Sequence, residues 1–199
     1  MKEERDVQVR EKFVEKSMQR YDSLADKVQE LKEFYTFLEP DDKRVLEKIV
    51  AEEVLQKEET RQYGILLSGS LHLAATEDHL LNFLRQDEQN RGIVIVSLGD
   101  LRSKRAYEPI QLYLETHQHQ VVQALAMIDY ERTIPILRKI VNYLPQKEAH
   151  QLLSCVFLQR REDYGVNRVI LDAEQLKNGN EKIDKDIMSI ATEVIKVKE

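Results

Sequence analysis

The fold of this chain is decided by the stretch Ser97-Leu98-Gly99-Asp100-Leu101-Arg102-Ser103-Lys104-Arg105-Ala106-Tyr107-Glu108-Pro109-Ile110, because a related stretch follows it. The second stretch is Ala124-Leu125-Ala126-Met127-Ile128-Asp129-Tyr130-Glu131-Arg132-Thr133-Ile134-Pro135-Ile136-Leu137. The two align without a gap at an offset of 27 residues, with Arg105 opposite Arg132 and Leu98 opposite Leu125. We expect both leucines to fill the layer between stacked units. Self-similarity at a period of a few tens of residues is typical of solenoid proteins. We therefore expect a helical repeat architecture.

Weaker copies flank these two. Ser70 to Leu81 aligns to the Ser97 copy at the same offset, with Ser70 opposite Ser97, and it keeps apolar residues at the core positions but lacks the arginine and the proline. Gln146 to Asp172 has the pattern of a fourth unit. The last segment, 176–199, is amphipathic, as a helix that caps a solenoid must be.

The N-terminal segment has a different pattern, although six glycines and four prolines in 199 residues favour helices throughout. A heptad-like apolar pattern predicts one long helix over residues 4–38. Glu39-Pro40 should end it, and a second helix over 41–60 should pack back on it as an antiparallel hairpin. The first half of the long helix would then overhang its partner. It is either a solvated end or a dimer seam formed by Val7, Phe13, Val14 and Met18.

The repeat motif resembles a known family. Arg105 to Leu114 and Arg132 to Leu137 resemble the short bacterial HEAT-like repeats first associated with phycobilin lyases. The resemblance implies an all-α, short HEAT-like α-solenoid of about four helical pairs with an N-terminal helical hairpin. The expected divisions are a charged hairpin over 1–60, repeats over 61–175 and a capping helix over 176–199.

The chain departs from this family in two respects. The family commonly has glycine-aspartate in the turn between its helices, where this chain has Arg102-Ser103 and Asp129-Tyr130. Related di-iron hydroxylases carry His-Glu dipeptides, and related DNA glycosylases use tryptophan in a basic groove. This chain has neither His-Glu nor tryptophan. The sequence therefore predicts a protein that is not an enzyme.

Charge and cysteine content exclude other classes. The net charge is −6, and the segment 1–60 holds 12 Lys/Arg against 17 Asp/Glu, a net of −5. Nucleic acid is therefore not an expected partner. A single cysteine, Cys155, is typical of a reducing compartment. With no apolar run of membrane-spanning length and no signal-like N-terminus, we expect a cytoplasmic protein and no membrane association.

Few residues in the sequence are candidates for catalysis or metal binding. His117 and His119 flank Gln118 and could ligate a metal, but two residues apart on a helix they would point to different faces. No glycine-rich phosphate loop or nucleophile elbow is present. Arg105 and Arg132 recur at one repeat position, where an arginine can bond free carbonyls at a helix end or contact a partner. We favour the structural role and expect no cofactor and no metal.

The remaining prediction concerns function. A non-catalytic scaffold of this type should bind a partner protein through the ridge formed by the second helices of its repeats. These helices should start at about Arg105 and Arg132 and run to Leu114 and Leu144. Two alternatives are an accessory or lyase-like protein that binds a small-molecule cofactor, and a structural homodimer built on the N-terminal helix. The exposed candidates on the ridge form a strip of mixed charge: Glu108, Gln111, Glu115, Arg138, Lys139 and Asn142.

Overall fold

The computed structural model describes residues 2–18, 23–145, 148–149, 151–153 and 156, which are largely helical with no β-strand among them. The predicted all-α fold class is therefore confirmed. The chain divides into two compact units, Met1–Ile110 and Gln111–Glu199. The helices are α1 (Lys2–Met18), α2 (Leu24–Thr36), α3 (Pro40–Ile49), α4 (Glu58–Ser70), α5 (Glu77–Gln86), α6 (Arg91–Asp100), α7 (Tyr107–Gln111), α8 (Gln118–Ile128) and α9 (Tyr130–Tyr143).

The long helix predicted over residues 4–38 is wrong, because two helices occupy that segment. α1 ends at Met18, and α2 begins after Ser23, whose hydroxyl accepts a hydrogen bond from the backbone N–H of Asp26 at 3.1 Å. Such an N-cap satisfies a backbone donor at the start of a helix and so favours a new helix at this point. α1 packs against α2 and α3, and Lys16 forms an ion pair with Glu30 at 2.6 Å.

This packing changes the predicted dimer seam. α1 buries Val9 and Phe13 in the first unit, at 5% and 3% exposure. Phe13 therefore belongs to the core of its own chain, and the prediction that it forms part of a dimer seam is wrong. Val7 and Val14 remain exposed, at 52% and 40%, and the side chain of Met18 lies outside the described residues. The homodimer itself stays a prediction.

The second helix begins where the sequence predicts and then departs from a regular helix. Pro40 occupies the first turn of α3, with two aspartates beside it at the positive end of the helix dipole. A π-helical turn, Val50–Val54, follows α3, and the Leu55 N–H donates to the Val50 carbonyl at 3.0 Å, five residues back. The helix therefore ends before residue 60. The predicted domain boundary after that residue falls inside α4.

Two helical pairs in the first unit, α4–α5 and α6–α7, are joined by turns of the same geometry. His72 and Arg102 take the left-handed conformation, with φ of 53° and 54°, and each is followed by a 3₁₀ turn. Both turns are Schellman motifs, in which two N–H groups beyond the helix satisfy its last carbonyls. In the first turn, the His72 N–H donates to the Gly69 carbonyl at 3.0 Å and the Leu73 N–H donates to the Ser68 carbonyl at 3.0 Å. In the second turn, the Arg102 N–H donates to the Gly99 carbonyl at 2.8 Å and the Ser103 N–H donates to the Leu98 carbonyl at 3.1 Å.

The alignment of the first, weak repeat is therefore wrong. The backbone makes His72 equivalent to Arg102, whereas the sequence alignment places His72 opposite Gly99. The alignment of the Ser97 and Ala124 copies also fails at the turn. A single residue, Asp129, separates α8 from α9, and its carboxylate accepts from the Arg132 N–H at 3.2 Å. Because Asp129 caps α9 directly, no Schellman turn forms there.

α4 packs against α6, and their backbones approach closely at Gly69. A Cβ added to Gly69 would lie 2.8 Å from the Ser97 Cα, so glycine is required at this crossing. Leu98, predicted to fill the layer between helices, is fully buried beside it. The stacking of these two pairs thus depends on the same stretch that defines the repeat in the sequence.

The described part of the second unit centres on α8 and α9, which pack against each other. Leu125, the second predicted layer residue, is fully buried. The predicted capping helix over 176–199, Cys155 and most of the predicted fourth unit lie outside the described residues. The core of the unit is formed by Val122, Ala126, Tyr130, Leu137, Ile140, Val141, Ala149, Leu152, Leu153 and Val156.

Candidate protein-binding surfaces

The six residues of the predicted strip are divided between the two units. Glu108 is exposed on α7 in the first unit, and the other five belong to the second unit. α7 ends at Gln111 rather than at Leu114, because the chain then enters turns in which the Leu114 N–H bonds the Gln111 carbonyl at 3.1 Å. Glu115 is exposed in those turns and is not on a helix face.

The remaining three residues lie together on α9. Lys139 and Asn142 are exposed, as predicted, and Arg138 is half-buried. Residues three and four apart share a helix face. The exposed positions of α9 follow that spacing and lie opposite its buried positions. We define the α9 outer face as Glu131, Arg132, Pro135, Lys139, Asn142 and Tyr143.

The sequence of α9 accounts for this two-sided character. Tyr130, Leu137 and Val141 recur at helical spacing and are buried. The Thr133 hydroxyl on the same side donates to the Asp129 carbonyl at 2.6 Å, which satisfies a polar group inside the core. Pro135 cannot donate to the helical ladder and lies on the exposed side. The helix is thus fixed by its apolar face, and the residues of its other face are exposed.

Tyr143 is the residue that the sequence interpretation missed. Its side chain is 81% exposed at the last position of α9, four residues after Lys139. Exposed tyrosine is a frequent anchor of protein interfaces because its ring offers a large contact area and its hydroxyl a hydrogen bond. The helical spacing from Lys139 could have placed Tyr143 on the outer face, but an aromatic residue near a helix end is more often taken for core.

Arg105 was predicted to bond free carbonyls at a helix end, but it has other partners. Its guanidinium instead bonds the carboxylates of Asp78 at 2.8 Å and Glu77 at 3.0 Å, in the first turn of α5. The Ser103 hydroxyl bonds the other Glu77 oxygen at 2.5 Å. The hydrogen bonds to Asp78 and then to Glu77 raise the pKa of Arg105 above its ordinary value. Arg105 therefore links the α6–α7 turn to the start of α5.

Arg132, its predicted counterpart, lies in the first turn of α9 with an exposed side chain. It belongs to the α9 outer face, so the two arginines that recur in the sequence occupy different structural positions.

A groove of about 430 Å³ lies between α1, α3 and the π-turn in the first unit. Its apolar residues are Val7 from α1 with Val45 and Ile49 from α3. The charged residues around them are Asp6, Arg10, Lys48, Glu52 and Glu53. Three carboxylates therefore face two cations in this groove.

The histidines do not form a metal cluster in the described part of the chain. His117 and His119 are both half-buried, and the described residues contain no group of three or more His, Cys, Asp or Glu suited to a metal ion. His79 instead lies 3.3 Å, Nδ1 to Nε2, from Gln56. None of the described helices has both the length and the apolar character needed to cross a bilayer.

The chain matches no protein-family model, no curated protein and no solved structure with which it was compared.

Proposed function

We propose that this chain is a non-catalytic helical-repeat protein that binds a partner protein through the α9 outer face. The observation that carries the proposal is the exposure of Tyr143, at 81%, on the same helix side as Lys139 and Asn142. An aromatic anchor within a polar and charged rim is the usual composition of a protein-binding patch. The side chains on this face have mixed charge, which suits a charged peptide or helix better than a polyanion.

Two observations favour this class over the alternatives. The equivalent turns of α4–α5 and α6–α7 support a repeat scaffold of HEAT-like type, and such scaffolds bind extended partners along their helices. A pocket for a tetrapyrrole or a similar cofactor would need mainly apolar walls, and the groove at Val7 does not have them, since five of the eight residues that line it are charged. We assign the protein to the cytoplasm, in line with its single cysteine.

A variant pair tests the α9 outer face. Arg138 is half-buried, so reversing its charge would disturb α9 as well as the surface. The cleaner variant combines Lys139→Glu with Tyr143→Ala. A matched control combines Lys32→Glu with Phe37→Ala in the first unit, where Lys32 is exposed and Phe37 is 88% exposed. Both variants change one charge and remove one exposed aromatic ring.

The measurement is affinity purification of the full-length protein from its host, with recovered proteins quantified by mass spectrometry. The α9 variant should lose its specific partner by at least tenfold, which corresponds to about 1.4 kcal/mol of binding free energy. The Phe37 control should recover as much partner as the wild type. Equal recovery with both variants would refute the α9 outer face as the binding surface.

A further inference from the structure

The groove between α1, α3 and the π-turn offers a second binding surface, which shares no residue with the α9 outer face. Ile49 is buried at its floor, Val45 is half-buried, and Val7 stands at its edge with 52% of its surface exposed. A volume of about 430 Å³ falls within the range of ligand-binding clefts. The groove can therefore accept apolar side chains of a partner.

The charges around the groove are unequal. Arg10 binds the Glu53 carboxylate through both terminal nitrogens, at 2.6 and 2.9 Å, so this pair is internally compensated. Lys48 lies 3.9 Å from Glu52 in an exposed pair. Asp6 also lines the groove, so three carboxylates lie beside two cations. The residues that line the groove thus carry one more negative charge than positive charge.

The surrounding chain has the same sign. The segment 1–60 has a net charge of −5, so a cationic partner would be attracted before contact. An anionic partner would meet both this field and Asp6. Charge therefore decides which kind of occupant suits the groove.

The π-turn supplies one wall of the groove. Glu52 and Glu53 lie within Val50–Val54, whose wider turn is closed by the bond from the Leu55 N–H to the Val50 carbonyl. A regular α-helix would direct these two carboxylates differently, because each residue advances by about 100° around the helix axis. π-turns occur frequently at functional sites. Here the π-turn places Glu53 within reach of Arg10.

We propose that this groove binds a basic amphipathic helix of a partner protein. An aliphatic side chain of that helix would pack against Val7, Val45 and Ile49, and a lysine or arginine one turn away would pair with Asp6. An amphipathic helix that lays its apolar face into a groove is a recurrent mode of recognition. The cation supplies the specificity, because an acidic helix with the same apolar face would leave Asp6 opposed to a like charge.

The probe is a fluorescein-labelled synthetic peptide of leucine and lysine with helical periodicity, compared with the same peptide carrying glutamate for lysine. Fluorescence anisotropy with the full-length protein should detect binding of the basic peptide, at least tenfold tighter than binding of the acidic one. The affinity should fall as salt rises, since the exposed charges are screened. Equal affinity for the two peptides would overturn the proposal.

α1 itself provides the matched variants. Asp6→Lys with Val7→Ser alters the groove, whereas Val14→Ser with Glu15→Lys makes the same kind of change at exposed α1 residues that do not line it. Both variants change the net charge by +2 and remove one exposed valine. The groove variant should weaken basic-peptide binding at least tenfold, and the control should stay within twofold. Equal losses would mean that net charge alone drives binding, and would refute the site.

Two further measurements keep the result independent of folding and of self-association. Circular dichroism establishes that both variants retain the helical signal. Sedimentation equilibrium of the wild type and of the groove variant detects a second copy in the groove. A wild-type dimer that the Asp6→Lys, Val7→Ser variant alone dissociates would assign the groove to a second copy and overturn the proposal. The α9 variant should bind the basic peptide as the wild type does, so this test stands apart from the proposed function.

Discussion

His72 and Arg102 occupy one and the same position in two successive helix-to-helix turns, and both take a left-handed backbone conformation that favours glycine. Each is the residue after the last turn of a helix, where the helix dipole is negative. The cationic side chain of Arg102 interacts favourably with the dipole there, which offsets part of the backbone strain at that residue. The two turns are thus built alike, although the only identical residues in them are Gly69 with Gly99 and Leu71 with Leu101.

The first prediction concerns these two turns. His72→Gly and Arg102→Gly should each raise the free energy of unfolding by about 0.5–1 kcal/mol, because glycine adopts positive φ without a steric cost. The control is His79→Gly inside α5, which should lower stability by about 1 kcal/mol, since glycine is unfavourable within a helix. Urea unfolding followed by circular dichroism compares the three. If His72→Gly and His79→Gly lowered the free energy of unfolding equally, the backbone at His72 would not be strained.

A second prediction tests the close approach of α4 and α6. Gly69→Ala should lower the free energy of unfolding by about 1–3 kcal/mol, because its Cβ would meet the backbone Cα of Ser97, which cannot move independently. Gly64→Ala in the same helix meets the Leu55 Cδ2 atom at 2.9 Å, the end of a side chain that can rotate. Both changes gain the same helix propensity, so the Gly64 variant should be the more stable. If Gly69→Ala were the more stable variant, the close approach of α4 and α6 would not be at Gly69.

A third prediction concerns two buried leucines and one exposed one. Leu98→Asp and Leu125→Asp each place an unpaired charge at a fully buried position and should cost several kcal/mol, enough to unfold the unit that contains them. Leu112→Asp makes the same substitution at a side chain that is 82% exposed and should stay within about 0.5 kcal/mol of wild type. Thermal melts followed by circular dichroism separate the two outcomes. A wild-type melt for Leu98→Asp would contradict its place in the core.

The fourth prediction is a dependence on pH. Burial, the nearby Glu47 charge and the hydrogen bond from the Tyr35 hydroxyl to Glu47 raise the pKa of Tyr35 to about 12. Above pH 10 the Tyr35 hydroxyl loses its proton in the unfolded chain but retains it in the folded chain, so unfolding becomes more favourable. The contribution of Tyr35 to stability is complete below about pH 10 and is lost as the pH rises through about 12. Urea unfolding across this range should therefore show a steeper loss for wild type than for Tyr35→Phe.

Glu47→Gln provides the control for that dependence. Removing the carboxylate charge should lower the pKa of Tyr35 while leaving its burial in place. The ultraviolet absorbance of tyrosinate during an alkaline titration reports this change directly. A titration curve identical to that of the wild type would rule out Glu47 as a cause.

The helical content and the layer residues could be predicted from the sequence because they depend on local pattern. Scarce glycine and proline, together with apolar residues at helical spacing, were enough to predict Leu98 and Leu125 in the core. The helix start at Pro40 followed from local chemistry as well. These features require no knowledge of distant contacts.

The turn geometry could not be predicted in the same way. Sequence identity placed His72 opposite Gly99, whereas backbone hydrogen bonds make His72 equivalent to Arg102. Left-handed residues are usually glycine, and neither turn has one at that position, so the strongest sequence signal is absent. The break between α1 and α2 was missed because the heptad-like spacing continues across the Ser23 N-cap.

The α9 outer face and the groove at Val7 could be located from the sequence only in part, for a related reason. Lys139 and Asn142 are exposed because the apolar face of α9 fixes which side is outward. The groove at Val7 depends instead on α1 packing beside α3, a tertiary contact that the periodicity of either helix leaves open. Glu115 does not lie on a helix because α7 ends at Gln111. The exact end of a helix is not fixed by the spacing of its apolar residues, so the sequence pattern did not predict it.

The π-turn at Val50–Val54 also bears on how the chain tolerates a change in length. A π-turn holds one residue more per turn than an α-helix, so deleting Ala51 would let α3 continue as a regular helix. Because the π-turn already absorbs that extra residue, the residues after the deletion would keep their direction, and Leu55 would keep its packing against Gly64. A deletion inside the regular helix α4 would instead rotate every later residue of that helix by about 100° around its axis. In a library of single-residue deletions, the π-turn should therefore tolerate the loss, as should the exposed residues Glu88 and Gln89 between α5 and α6, whereas deletions inside α4 should be depleted.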